Sequence, residues 1–330
     1  MFAITNRAAR LAVSVVERDS LPPKEGATQE GELELRDSPR DSKRGGTSVV
    51  LDKVTVAYGR ERDRSGANAN VALTNVSLRV SAGEFVCILG PSGSGKSSIL
   101  NVVAGLVAPA AGSVSAGGKV VRGPSPERAV VFQDAALFPW LTLRKNIEFP
   151  LGVQGVSEKE RAERSERLLR LVHLWKFRDS HPHELSGGMR QRGAIARALA
   201  TDPNVLLMDE PFAALDAQTR EILHGELERI WTATRKTVLF VTHNVREAVR
   251  LADRVILLGT RPGRVLEERT IDLPRPRGEN DEAVARVAGE IGRRIASEVE
   301  KVASEEADDA RDYANDRVRR PDDRAVGARH

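Results

Sequence analysis

A chain of 330 residues with 40% hydrophobic side chains has room for one large domain or two small ones and for a substantial core. It holds no apolar run of about 18 residues, so nothing reads as a membrane span, and the short apolar stretch Leu11–Val16 lacks the small-residue pattern of a cleaved leader. The net charge of +4 is spread over mixed-sign surface with no basic block among aromatics, which argues against nucleic acid, and the single cysteine excludes a disulfide and a thiolate metal cage.

Residues 1–46 are polar, charge-mixed and rich in Gly, Ser and Pro, and read as a disordered tail. Val/Ile/Leu-rich runs then read as strands: "SVVLDKVTVAY", "EFVCILG", "AVVFQ", "NVLLMDE", "TVLFVTH" and "RVILLG". Those flanked by helical stretches have the uninterrupted apolar character of buried parallel strands. Cys87 lies in one of them and reads as a buried, inert thiol. Between Ser157 and Trp175 the pattern turns helical, opened by a Ser157/Glu160 capping box. Further helices are expected after Ser186 and over residues 219–234. The alternation defines an α/β domain over residues 47–280, with a helical subdomain at about 134–190. A C-terminal helix at 281–303 and a disordered charged tail at 304–330 complete the expected layout.

The chemistry begins at "GPSGSGKS", between the strand "EFVCIL" and the helical run "SSILNVVAGL". Glycines there let backbone N–H groups converge on phosphate oxygens, and the helix N-terminus adds partial positive charge. The expected nucleotide-binding residues are Gly90, Pro91, Ser92, Gly93, Ser94, Gly95, Lys96 and Ser97, with Ser98 behind them. Lys96 would reach the β- and γ-phosphates, and the Ser97 hydroxyl would ligate Mg²⁺. "VLLMDE" supplies a carboxylate at a strand end, Asp209, to hold Mg²⁺, and a second, Glu210, placed to take a proton from an attacking water.

"LSGGMRQR", Leu185–Arg192, is a second anion-binding helix start, with Ser186 as N-cap. One nucleotide has no use for two γ-phosphate clamps in one domain. The turn is therefore expected to serve ATP held by another copy, in a head-to-tail dimer with two shared sites.

These motifs, in this order and spacing, resemble the ATP-binding subunits of ABC transporters across residues 48–275. The resemblance implies a P-loop core with helical and antiparallel β subdomains, ATP and Mg²⁺ as ligands, and a separate two-copy membrane permease. It implies that Tyr58 stacks on adenine and that Gln133, in "VVFQD", approaches Mg²⁺ and the water. Glu210 polarises that water and His243, in "VTHNVREA", contacts the γ-phosphate. Ser186, Gly187, Gly188 and Gln191 belong to the signature, and Asp216 lies at the dimer seam. Ala213 stands where serine is usual, which removes a cross-dimer hydrogen bond. Phe138, Pro139 and Trp140 are expected in the groove that receives the permease. "FPWLTLRKNI" and "GTRPGRVLEERTIDLPRPR" resemble importers of nitrate, taurine and aliphatic sulfonates, which also use an extracytoplasmic substrate-binding protein. The chain would then sit peripherally at the cytoplasmic face of the membrane.

Two other classes fit the motifs less well. DNA-repair ATPases of this type carry a long coiled coil between the two phosphate motifs, and none lies between Lys96 and Ser186, while translation-type members carry two ATPase domains. A non-hydrolysing regulator would not be expected to keep both Glu210 and His243. His181 and His183 lack a carboxylate or thiol cluster and are not read as metal ligands.

Overall fold

The computed structural model describes residues 45–59, 70–213, 215–260, 262–278 and 281–319, with side chains described through residue 300. Apart from residues 45 and 46, the expected N-terminal tail lies outside these, as do residues 320–330.

Two sheets stack on either side of one helix. The first is antiparallel, in the order β2-β1-β4-β5, built from β1 (Val49–Tyr58), β2 (Asn70–Val80), β4 (Ala111–Ala116) and β5 (Lys119–Val120). The second has the order β10-β9-β3-β8-β7-β6. Its strands are β3 (Phe85–Leu89), β6 (Arg128–Val131), β7 (Val205–Asp209), β8 (Thr237–Val241), β9 (Arg254–Gly259) and β10 (Arg264–Thr270). All pairs in it are parallel except β9 with β10.

The parallel strands are apolar throughout because each buries both faces. Phe85, Cys87 and Leu89 of β3 face a core shared with the helical region, while Val86 and Ile88 face α1 (Lys96–Ala104) and the antiparallel sheet. Strand β8 divides likewise, with Val238 and Phe240 on one side and Leu239 and Val241 on the other. Cys87 is fully buried, and that burial pushes its thiol pKa up, as expected of an inert thiol.

Between β6 and β7 the chain forms α2 (Leu143–Val153), α3 (Glu158–Leu171) and α4 (Gly187–Ala200). Thr142, Ser157 and Ser186 cap them, each hydroxyl accepting the backbone N–H three residues on. α2 falls within the block expected to be helical; it carries Pro150 inside it and buries the face of Leu143, Ile147 and Leu151. α5 (Ala217–Thr234) begins at Asp216 and α6 (Val245–Leu251) at Asn244, each side chain accepting a backbone N–H of its helix.

α7 (Glu282–Arg319) runs past the point where the sequence reading placed a disordered tail. No Gly or Pro interrupts the chain from Arg293 to Arg320, so no breaker stops a helix that begins on the core. The segment before it works as a strap. The Arg277 guanidinium donates to the carbonyls of Val249 (2.8 Å), Ala252 (2.6 Å) and Ile271 (3.0 Å), closing the carbonyl end of α6. Arg275 pairs with Asp253 and Glu228 and lies over the Trp231 ring.

Candidate functional site

β3, β8, β7 and β6 are consecutive neighbours and parallel, so their C-terminal ends share one edge of the sheet. Along that edge stand, in spatial order, the loop Gly90–Lys96, His243, Asp209 with Glu210, and Gln133. Residues spread over more than 150 positions of sequence thus form one row. This is where open parallel sheets hold ligands.

The phosphate loop is shaped by backbone that only glycine adopts freely. Gly93 and Gly95 have φ of 79° and 82°, and a Cβ on Gly90 would lie 2.6 Å from the Ser94 hydroxyl oxygen. Lys96 is buried, and its Nζ donates to the carbonyls of Gly90 and Pro91, both at 2.9 Å. Burial lowers its pKa, opposed by the negative charges of Glu210 and Asp209. Ser94 is buried with its hydroxyl unpartnered, whereas Ser92 and Ser97 are exposed. Tyr58, 40% exposed, donates from its hydroxyl to Ser98 Oγ at 3.1 Å, which ties the end of β1 to the first turn of α1.

Burial raises the pKa of Asp209, and Glu210 adds to this, while a hydrogen bond from the Ser97 hydroxyl and the charge of Lys96 oppose it. Glu210 holds φ at 43°, a conformation that costs a non-glycine residue on the order of 1 kcal/mol. Its N–H nevertheless bonds the Val241 carbonyl at 3.0 Å, so the strained turn is anchored to β8. The turn aims the Glu210 carboxylate at His243, with Oε2 and Nδ1 2.9 Å apart. Gln133 is exposed in the loop after β6.

The signature turn faces elsewhere. Ser186 and Gly187 are exposed at the start of α4, and Gly188 is buried against Thr219 of α5, whose Cγ2 leaves no room for a Cβ. Asp216, the cap of α5, is exposed beside this turn. Its pKa is lowered by the Thr219 backbone N–H, which it accepts at 2.9 Å. Gln191, further along the signature, is buried. It is only 3% exposed, and its amide donates to the Phe132 carbonyl at 3.3 Å, so it ties α4 to the Gln133 loop. One turn into a helix, the position 191 side chain points back toward the core. His181 and His183 stack at 5.7 Å, and no cluster of three or more metal-ligating side chains exists among the described residues.

Sequence reasoning missed Asn146. This fully buried amide accepts from Phe138 N–H at 2.7 Å and donates to the carbonyls of Phe138, Leu141 and Thr142. It fixes the loop on which Phe138 meets Trp140 and Phe149, with ring centroids 5.5 and 4.9 Å apart. Trp140 is 71% exposed there. A polar residue between Lys145 and Ile147 in "LRKNIEFPL" gives no sign of this role.

A glycine loop between strand and helix, with paired carboxylates two strands away, defines a P-loop nucleotide hydrolase. The family model described as ABC transporter matches residues 73–213. An uncharacterized ABC transporter ATP-binding protein of Methanocaldococcus jannaschii is 53% identical over 206 residues, covering 62% of this chain and 77% of the relative. The nitrate import ATP-binding protein NrtD of Synechocystis is 51% identical over 204 residues, 62% of this chain and 77% of the relative. The taurine import ATP-binding protein TauB of Mesorhizobium japonicum is 49% identical over 218 residues, 66% and 82% of the two chains. Among solved structures, a dimeric post-hydrolysis ATP-binding cassette with ADP and Pi has a TM-score of 0.60 and 36% identity, covering 68% of this chain and 100% of that one. The chain belongs to the ABC transporter family, as an ATP-binding, ATP-hydrolysing subunit. No helix among the described residues is long and apolar enough to cross a membrane.

Proposed function

We propose that the chain powers an importer for a small oxyanion, an organosulfonate such as taurine or else nitrate, through a separate two-copy permease. The observation that carries the mechanism is the row of strand ends that joins Gly90–Lys96, His243, Glu210 and Gln133. The loop N–H groups and Lys96 take the phosphates, and Tyr58 takes the adenine. The Ser97 hydroxyl, the Asp209 carboxylate and the Gln133 amide are hard oxygen donors that fit Mg²⁺, and the Ser97–Asp209 hydrogen bond brings two of them together. Mg²⁺ bound there would neutralise phosphate charge. Glu210 accepts the proton of the attacking water, and His243 steadies Glu210 and the γ-phosphate.

The signature turn completes the site of a second copy, in which Ser186 and Gly188 donate to that γ-phosphate and Asp216 lines the seam. ATP closes the pair and phosphate release reopens it. The aromatic loop around Trp140 receives the permease at the cytoplasmic face of the membrane. An extracytoplasmic binding protein delivers the cargo. Relatives named for nitrate and for taurine import, at 51% and 49% identity, support the oxyanion class.

The test is growth of a strain lacking the chain, complemented with wild type or Glu210→Gln. Taurine or an alkanesulfonate serves as sole sulfur source, and nitrate separately as sole nitrogen source. Rescue by wild type alone on the sulfonate supports sulfonate import. A defect confined to nitrate moves the cargo to nitrate. Growth unaffected on both sinks the cargo reading.

A further inference from the structure

Behind the Glu210–His243 pair lies a buried polar cluster to which neither the motifs nor the comparisons assign a role. Glu247 of α6 is buried, and so is His224 of α5, whose Nε2 lies 2.7 Å from Glu247 Oε1. The other carboxylate oxygen accepts the Thr242 hydroxyl. That hydroxyl oxygen in turn accepts the Asn244 N–H at 3.0 Å, and Asn244 Oδ1 accepts the Glu247 N–H at 3.2 Å. Thr242, before His243, is therefore held to the carboxylate, and Asn244, after it, to the Thr242 hydroxyl and the Glu247 N–H. On the far side, the His224 ring meets the edge of Phe212, centroids 5.5 Å apart, two residues beyond Glu210. The chain of contacts Phe212–His224–Glu247–Thr242 thus links the segment after Glu210 to the residue before His243.

We propose that Glu247 is a positioning residue for hydrolysis, which sets His243 against Glu210 by gripping Thr242, whose hydroxyl in turn holds Asn244, and by bonding His224. The proposal rests on the reading of His243 given above. A buried carboxylate is costly where an apolar side chain would pack as well, so its presence calls for a role beyond stability. Only a carboxylate meets the geometry. Arg250 Nη1, a permanent donor, stands 3.4 Å from His224 Nδ1, so the ring proton belongs on Nε2 and points at Glu247. Thr242 points a second proton at the other oxygen. Glutamine would turn an NH₂ group against one of these two donors.

The experiment measures steady-state ATP hydrolysis by the full-length chain as wild type, Glu247→Gln, His243→Ala and the double variant. Thr242→Val and Thr242→Ser are measured beside them. Glu247→Gln and Thr242→Val are expected to lower kcat about tenfold, as a small misplacement of a reacting group does, with KM for ATP within about twofold of wild type. Thr242→Ser keeps the hydroxyl and stays near wild type. In the His243→Ala background, Glu247→Gln adds no further loss, because the residue it positions is gone. A wild-type kcat in Glu247→Gln overturns the proposal. So does an additional loss in the double variant, which marks a merely structural role. Should Glu247→Gln fail to fold, the Thr242→Val and Thr242→Ser pair decides, and equal rates for the two overturn it. Full activity in His243→Ala defeats the reading of His243 itself, a result distinct from the others, and the proposal with it.

Discussion

Nδ1 of His243 stands 2.9 Å from Oε2 of Glu210, and the two residues come from the ends of adjacent parallel strands. The contact exists because Glu210 accepts a left-handed backbone while its N–H stays bonded to β8. Glu210→Gln keeps shape and hydrogen bonding but loses the base. It is expected to bind ATP, fail to hydrolyse it and accumulate as a dimer of twice the 36.0 kDa chain mass, read by light scattering. A monomer at saturating ATP would count against the shared site.

Gly188→Ala places a methyl group against Thr219 Cγ2, and the start of α4 must shift. A loss of about 1–3 kcal/mol in stability is expected, as for other overpacked sites, together with loss of ATP-dependent pairing. Thr219→Ser removes the obstructing methyl and should restore both in the double variant. Calorimetry with light scattering checks the pair, and absence of rescue would show that the turn rejects alanine for another reason.

Asp209 carries a cost for its position. Burial raises its pKa, so the folded state holds that proton more tightly than the unfolded chain does. Its contribution favours folding at low pH. That contribution fades as pH climbs from the unfolded carboxylate value of about 3.9 through the raised folded value. Asp209→Asn, without nucleotide or Mg²⁺, should therefore melt higher than wild type near neutrality, by a margin that shrinks on acidification, while hydrolysis collapses. A lower melting temperature at neutral pH would mean that the bonds to Ser97 and Lys96 outweigh burial.

Trp140→Ala removes an exposed ring from the loop pinned by Asn146. Stability should change by no more than about 0.5 kcal/mol, as at other exposed positions, and ATP turnover by the isolated chain should hold. Uptake in cells should fall. Unchanged uptake would remove this loop from the permease interface.

What the sequence made legible follows from locality. The loop at Gly90–Ser97 and the strand ending at Asp209 each declare themselves within about ten residues, because glycine geometry and a run of buried apolar positions are local facts. The antiparallel strand β2, "NVALTNVSLRV", was missed because alternate residues face solvent and interrupt the apolar signal. The burial of Gln191 is hidden in the motif, which does not say which way its helix turns. Arg275 and Arg277 looked like markers of a subgroup. Their partners, from Glu228 to Ile271, are brought to them only by the tertiary fold. The Glu247 cluster escaped for the same reason, since His224 lies 23 positions away on another helix.

The strand order carries a consequence for synthesis. β3, which launches the phosphate loop, has only β8 and β9 as neighbours, and both are made some 150 residues later. While the ribosome is still building the helical region, β3 has no partner strand on either side. The carbonyl end of α6 then waits for Arg277 to emerge. Such long-range closure is slow and leaves apolar edges open in the meantime. A nascent chain halted before residue 277 would hold every nucleotide-binding motif in its sequence, yet lack the last clamp on the helix that follows His243.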